Sequence, residues 1–217
     1  MILRRLLVLE MAALLLWNSA CARPAVLGVV IEADRVELNT TAVTAGATVY
    51  DGDRFSTEIG GMLLLRSGST MLELAGDSIL SVQNAANVAR GIEAKLVQGT
   101  LVFSAAQAAW LNIIVCDASI RPVADARTVA QVSVAGPKEL RIYARRGALE
   151  FSYHGETETI PEEKAYRVVL DPPDEESDKK EPVKGRKAKA FLVLIAGGGL
   201  PALIFGLHEA FESPERP

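Results

Sequence analysis

Four glycines stand eight residues apart, Gly52, Gly60, Gly68 and Gly76, and they limit what this chain can fold into. They sit in Asp51-Gly52-Asp53, Gly60-Gly61, Ser67-Gly68-Ser69 and Ala75-Gly76-Asp77. The stretches between them are short and β-prone: Arg54–Ile59, Met62–Arg66, Thr70–Leu74 and Ser78–Val82. Turn signals at this interval between short apolar runs mark a sandwich, barrel or coiled sheet. Glycine reaches φ > 0 in a tight turn, while Leu-rich and β-branched runs suit a half-buried pleat. In Thr70–Leu74 the strand period places Leu72 and Leu74 on one face and points Glu73 away. Leu80 and Val82 repeat the pattern, with Ser81 and Gln83 outward. No 3.6-residue periodicity is sustained between about Ala25 and Leu170. The expected fold is all-β, a short-stranded β-sandwich or coiled sheet.

After a longer connection at Asn84–Gly91, strands are expected at Ile92–Val97, Gly99–Phe103, Leu111–Cys116 and Val129–Ala135. Further strands are expected at Glu139–Ala144, Gly147–Phe151 and Tyr166–Leu170. Ser104–Ala109 is Ala-rich and admits one helical turn. Nearly half the residues are apolar but only 6% are aromatic, so the core must be aliphatic. A net charge of −4 and a pI near 5.4 provide no basic field, and no nucleic-acid partner is expected. Two cysteines, Cys21 and Cys116, are too few for a disulfide framework.

The ends speak about location. Arg4-Arg5, the apolar run Leu6–Trp17 and Ala20-Cys21-Ala22 are the parts of a secretory signal peptide over residues 1–22. Lipidation of Cys21 and an uncleaved signal anchor are the alternatives, and all three export the central region. The domain is expected over residues 23–170. Residues 171–189, rich in Pro, acids and Lys, cannot bury a core and read as a disordered linker. Residues 190–207 carry no charge and are expected as an apolar helix, transmembrane or membrane-associated, before a short polar tail at 208–217. The basic run Lys184, Arg186, Lys187 and Lys189 opposes export of its side of a membrane, which leaves the topology of the tail open.

With the strands laid out, the chain resembles the FecR-like domain. The resemblance rests on Gly52-Asp53-Arg-Phe55-Ser-Thr57, Gly61-Met-Leu-Leu-Leu65, Ser67-Gly68-Ser69-Thr-Met-Leu72-Glu-Leu74 and Leu96-Val-Gln-Gly99-Thr-Leu101. Arg146-Gly147-Ala-Leu149 and Tyr166–Leu170 fit that family's closing strands. The resemblance covers about two thirds of the chain and implies a module that senses or relays signals at the bacterial envelope. The cytoplasmic anti-sigma region that family members carry before their membrane helix is not expected here, since only three residues precede Arg4.

Candidate chemistry is sparse. Asp51 and Asp53 offer two carboxylates, but a calcium loop needs six to eight oxygens, and a turn accounts for both. A Cys-His or Ser-His-Asp mechanism would have to use His154, at an expected hairpin tip, with Cys116 as the thiol. Cys116 reads instead as a small buried hydrophobe ending Ile113–Val115. Gly197–Gly199 lacks the Lys-Ser/Thr of a phosphate loop, and Arg145-Arg146 reads as solvated charge at a turn. The residues thus point to no catalytic, cofactor-binding or metal site. The expectation is a non-catalytic module whose partner is another envelope protein or a glycan, with membrane contact through residues 190–207. A structural or assembly protein organised through its C-terminal segment is the alternative, and a hydrolase on a β-sandwich is the third reading.

Overall fold

The computed structural model describes residues 25–85, 91–106, 111–123, 127–171 and 191–195. Two long strands organise it. β1 (Val26–Leu38) and β4 (Arg54–Ser67) pair antiparallel, and β2 (Thr41–Ala42) and β3 (Thr48–Tyr50) pair with β1 alone. β4 then divides its other edge. Leu63–Ser67 pairs with β5 (Thr70–Leu74), and Arg54–Thr57 pairs with β6 (Ser78–Asn84).

Two wings grow from this division. One runs from β6 through β7 (Ile92–Gln98), β9 (Leu111–Val115), β10 (Ala118–Pro122) and β13 (Leu149–Tyr153) to β14 (Glu156–Ile160). The other runs from β5 through β8 (Thr100–Ala105), β11 (Thr128–Gly136), β12 (Glu139–Arg146) and β15 (Lys164–Leu170) to β16 (Phe191–Ile195). Every pairing is antiparallel except β7 with β9. The sheet curls into a half-barrel around a core mostly of Leu, Val, Ile and Ala, with the rings of Phe55, Phe103, Phe151, Tyr153 and Phe191 among them. The all-β expectation and the aliphatic core both hold.

Why β4 can serve two wings is written at Gly60-Gly61. The expected turn there does not form; both glycines lie inside one strand and bend it. A Cβ on Gly61 would fall 2.8 Å from the carbonyl oxygens of Asp34 and Arg35, which cross at the bend. The pairing with β1 shifts register between Asp34 and Val36, and Arg35 takes φ 50°. Its guanidinium donates to the carbonyls of Ile59 and Gly60. On the other side, the Thr57 hydroxyl donates to the Ala75 carbonyl (2.6 Å) and accepts from the Ser78 amide (3.0 Å). Buried Ser78 in turn accepts from the Thr100 amide at 3.0 Å, over Gly99. A chain of buried hydroxyls therefore seals the seam where the wings part. Gly52 and Gly68 do occupy turns, at φ 88° and 57°.

Other expectations are corrected. Ser104 and Ala105 belong to β8, not to a helical turn. β1, β2, β3, β10 and β14 match no expected strand: β14 is Glu-Thr-Glu-Thr-Ile and lacks an apolar face, and β10 alternates only Ala118, Ile120 and Pro122 inward. Phe191–Ile195, the start of the segment expected as a helix, is a strand paired with β15. It extends the sheet beyond β15, with Phe191 buried and Val193 packed partly against the core. Among the described residues no helix is long and apolar enough to cross a membrane. Residues 1–22, most of the 171–189 linker, 196–207 and 208–217 lie outside the described residues.

Glu73 needs a separate correction. It points away from Leu72 and Leu74, as expected, but the face it joins is covered: its exposure is 4%, and its cross-strand neighbours Leu64 and Val102 are buried. Burial, and then the charge of Glu32, push its carboxyl up to about 7. The native state therefore holds a proton that the unfolded chain releases near 4.5. Stability is greatest below that value, falls as pH rises through about 7, and then levels. Urea unfolding should show this decline, and Glu73→Gln should flatten it and stabilise the protein at pH 8. Leu72→Ala should cost about 2–5 kcal/mol. Gly61→Ala should cost about 1–3 kcal/mol through the forced backbone shift, whereas a Gly61→Ala protein as stable as wild type would mean the bend is not required.

Candidate functional site

The two wings of the sheet meet over the core. The ring of Phe151 on β13 contacts that of Phe191 on β16 edge-to-face, with centroids 4.9 Å apart. Above them a polar rim is built from turns of both wings. β9 and β10 are joined through Cys116-Asp117, β13 and β14 through His154-Gly155, and β11 and β12 through the turn that holds Lys138. Pairing of β10 with β13 sets the first two turns side by side. Asp171 ends β15 at the same place.

Tyr153 joins the pieces. Its hydroxyl donates to Asp171 Oδ2 at 3.0 Å, its ring stacks on His154 at 4.0 Å, and Lys138 Nζ lies 3.3 Å from the same Asp171 oxygen. The Tyr153 hydrogen bond and then Lys138 hold the Asp171 carboxyl below its usual range. Burial, the Asp171 hydrogen bond and the neighbouring negative charges push the Tyr153 phenol up. Cys116, Asp117, His154 and Asp171 all take φ between 44° and 63°, a region costly for side-chain-bearing residues. The two tight hairpins require positive φ at both turn positions, which accounts for Cys116, Asp117 and His154.

His154 is thus at a hairpin tip, as expected, and Cys116 is in the adjacent turn rather than inside β9. Cys116 is only partly buried. Burial, then Asp117, push its thiol up, so the thiolate a nucleophile needs is disfavoured at neutral pH. The fold sets the turns of the two residues a Cys-His mechanism would use side by side, with the Cys116 thiol pushed toward its protonated form. What the rim offers is hydrogen bonding, ring surface and charges of both signs.

The other candidates lie elsewhere. Asp53 is buried, and its carboxylate accepts from the Tyr50 amide and from Asn39 Nδ2, both at 2.8 Å. Asp51 accepts from the Asn84 amide at 2.7 Å. Both carboxylates clamp turns. Among the described residues no group of three or more His, Cys, Asp or Glu is placed to hold a metal ion. Arg145 and Arg146 end β12 at its far end from the rim. A recess of about 400 Å³ lies between Val26, Leu27, Ser67, Gly68 and Asn84, and none of the described residues that line it is titratable. Lys138, Tyr153 and Asp171 were missed from sequence. They are spread over 34 positions, and only the pairing of β12 with β15 and the curl of the sheet bring them together.

Two measurements test the rim. Cys116 should react with iodoacetamide at pH 8 more slowly than free cysteine, and Asp117→Asn should speed it by lowering the thiol pKa. Phe191→Ala should speed amide exchange across residues 191–195 by at least about tenfold, the equivalent of 1.4 kcal/mol of local stability, while β4, β5 and β8 stay protected. Equal loss of protection throughout would mean β16 is not a separable element.

No protein-family model matches the chain, and no curated protein is similar to it. Among solved structures it is similar to two crystal structures of a proposed anti-sigma factor from Parabacteroides distasonis ATCC 8503. The first is 10% identical with a TM-score of 0.46, the second 12% identical with a TM-score of 0.44. Each alignment covers 65% of this chain and 59% of the other, so the chain spans less than two thirds of those proteins.

Proposed function

We propose that this chain is a non-catalytic interaction or signal-relay module of the bacterial envelope, exported and held at a membrane by its C-terminal segment. The observation that carries the reading is the joint between rim and tail. Tyr153 and Phe151, on the strand that leads into the His154 hairpin, touch Asp171, which follows β15, and Phe191, which begins β16. A partner, an envelope protein or a glycan, that grips the hairpin tips therefore acts on the strand leading into residues 196–207. A ligand shifts such an equilibrium by as much as it prefers one arrangement of β16 over another. The thiol held protonated at Cys116 supports binding over nucleophilic catalysis. The FecR-like pattern of Gly52–Thr57 and Leu72–Leu74 supports a place in envelope signalling.

Holding Phe191–Ile195 in the sheet also changes the reading of the membrane contact. The uncharged residues that remain, 196–207, are well short of the ~20 a spanning helix needs, which favours an interfacial contact over a span.

Export is tested by fusing residues 1–30 to a reporter active only outside the cytoplasm; activity is expected, and an inactive full-length fusion would sink the idea. The rim is tested with a photo-crosslinking residue at His154 and, as control, at Arg146 in the producing cell. Adducts should form from position 154 and not from 146. Equal labelling from both, or none from 154, would remove the rim as the partner surface.

A further inference from the structure

Among the described residues the main path of the sheet ends in two edges of opposite character, β14 and β16, while β2 and β3 lie off it beside β1. On β14, Glu156 and Glu158 alternate with Thr157 and Thr159, and Thr157, Glu158 and Thr159 are exposed. A second such edge brought alongside would set carboxylate against carboxylate, a usual guard against edge-to-edge pairing. β16 carries no charge, and among the described residues it is paired on one side only, with β15. Its large side chains Leu192 and Leu194 are 46% and 41% exposed, while Phe191 is buried in the core and Val193 packs partly against it.

The exposed leucines are placed symmetrically about Val193. An antiparallel copy of the same strand, on a two-fold axis through Val193, sets Leu192 opposite Leu194 of the second copy and Leu194 opposite Leu192 of the second copy. Self-complementarity of this kind is what a closed two-fold interface demands. Among the described residues of the edge itself nothing charged opposes it. Across β15, Leu192 neighbours Val169, and Leu194 neighbours Arg167, whose guanidinium is held by both carboxylate oxygens of Glu139 at 2.8 and 2.7 Å. We propose that β16 is a self-pairing edge, through which two copies of this chain join their sheets with Val193 on the axis.

A five-residue strand pair is small beside the ~1,200 Å² or more of stable interfaces. The pairing is therefore weak in dilute solution and strengthens when copies are concentrated, as on a common surface. The β14 edge stays open in the pair, but its carboxylates keep the assembly from growing further.

Cysteine cross-linking of the full-length chain, with Cys21 and Cys116 replaced by serine, tests the register. Leu192→Cys and Leu194→Cys proteins, mixed and mildly oxidised, should yield disulfide dimers about tenfold more readily than either alone, because directly opposed strand positions fall within disulfide reach and the offset ones do not. Val193→Cys should cross-link to itself, and adding Leu194→Lys should suppress this about tenfold at an unchanged melting temperature. Absence of dimers from the mixture overturns the proposal, and would mean that another part of the chain, a different protein or lipid covers the edge. Cross-linking of each single variant as readily as the mixture also overturns it, as does a Val193→Cys dimer indifferent to Leu194→Lys.

Discussion

Everything in this domain hangs on one strand bonded to different neighbours over its two halves. β4 gives Arg54–Thr57 to β6 and Leu63–Ser67 to β5, while β1 runs along its other edge and bends with it. A strand with ordinary side chains at positions 60 and 61 could not make this turn of direction. The carbonyls of Asp34 and Arg35 occupy the space a Cβ would take at Gly61, and the amide of Gly60 occupies that of Gly76. The bend separates the chain into two wings, and their curl lets β13 of one wing reach β16 of the other. The two wings of the half-barrel meet by side-chain packing at Phe151 and Phe191, and among the described residues no strand pairing joins β14 to β16.

The centre of the sheet bears a second consequence. β5 and β8 are buried at nearly every position, so they are covered on both faces, as strands in the middle of a two-sided structure are. A glutamate on the outer face of β5 is then no longer a solvated residue. Glu73 holds its proton to about 7, and the stability of the fold becomes tied to the pH of its surroundings. An alternating pattern reports which side of the strand a residue faces; it does not report whether that side is wet.

Where the wings meet, structure and proposed function share the same parts. The turns that carry Cys116, Asp117 and His154 are tight because two-residue hairpins must take positive φ, and that brings their side chains to a common rim. Tyr153 ties the rim to Asp171, which follows β15, and Phe151 on the same strand meets Phe191, which begins β16. Among the described residues β16 is a short strand held by the ring contact of Phe191, its ladder with β15 and partial packing of Val193 on the core. Elements of that kind lie at the low-stability end of a structure and are the ones that can change place.

The sequence by itself determined the class of fold, because an eight-residue glycine interval and two-residue alternation are local properties that only short strands satisfy. It also determined the aliphatic core and the hairpin tip at Tyr153-His154-Gly155, each readable from a few adjacent residues. Tertiary structure alone decided that Gly60-Gly61 bends a strand instead of ending one, since a glycine pair permits both and only the crossing of β1 selects the bend. It decided that Glu-Thr-Glu-Thr-Ile is a strand, because an edge needs a partner's ladder and no apolar face of its own. Phe191–Ile195 is the sharpest case: an uncharged apolar run suits a membrane helix and a sheet edge equally well in isolation. The open side of β15 and the ring of Phe151 make the strand the better burial, and both come from residues far away in the chain.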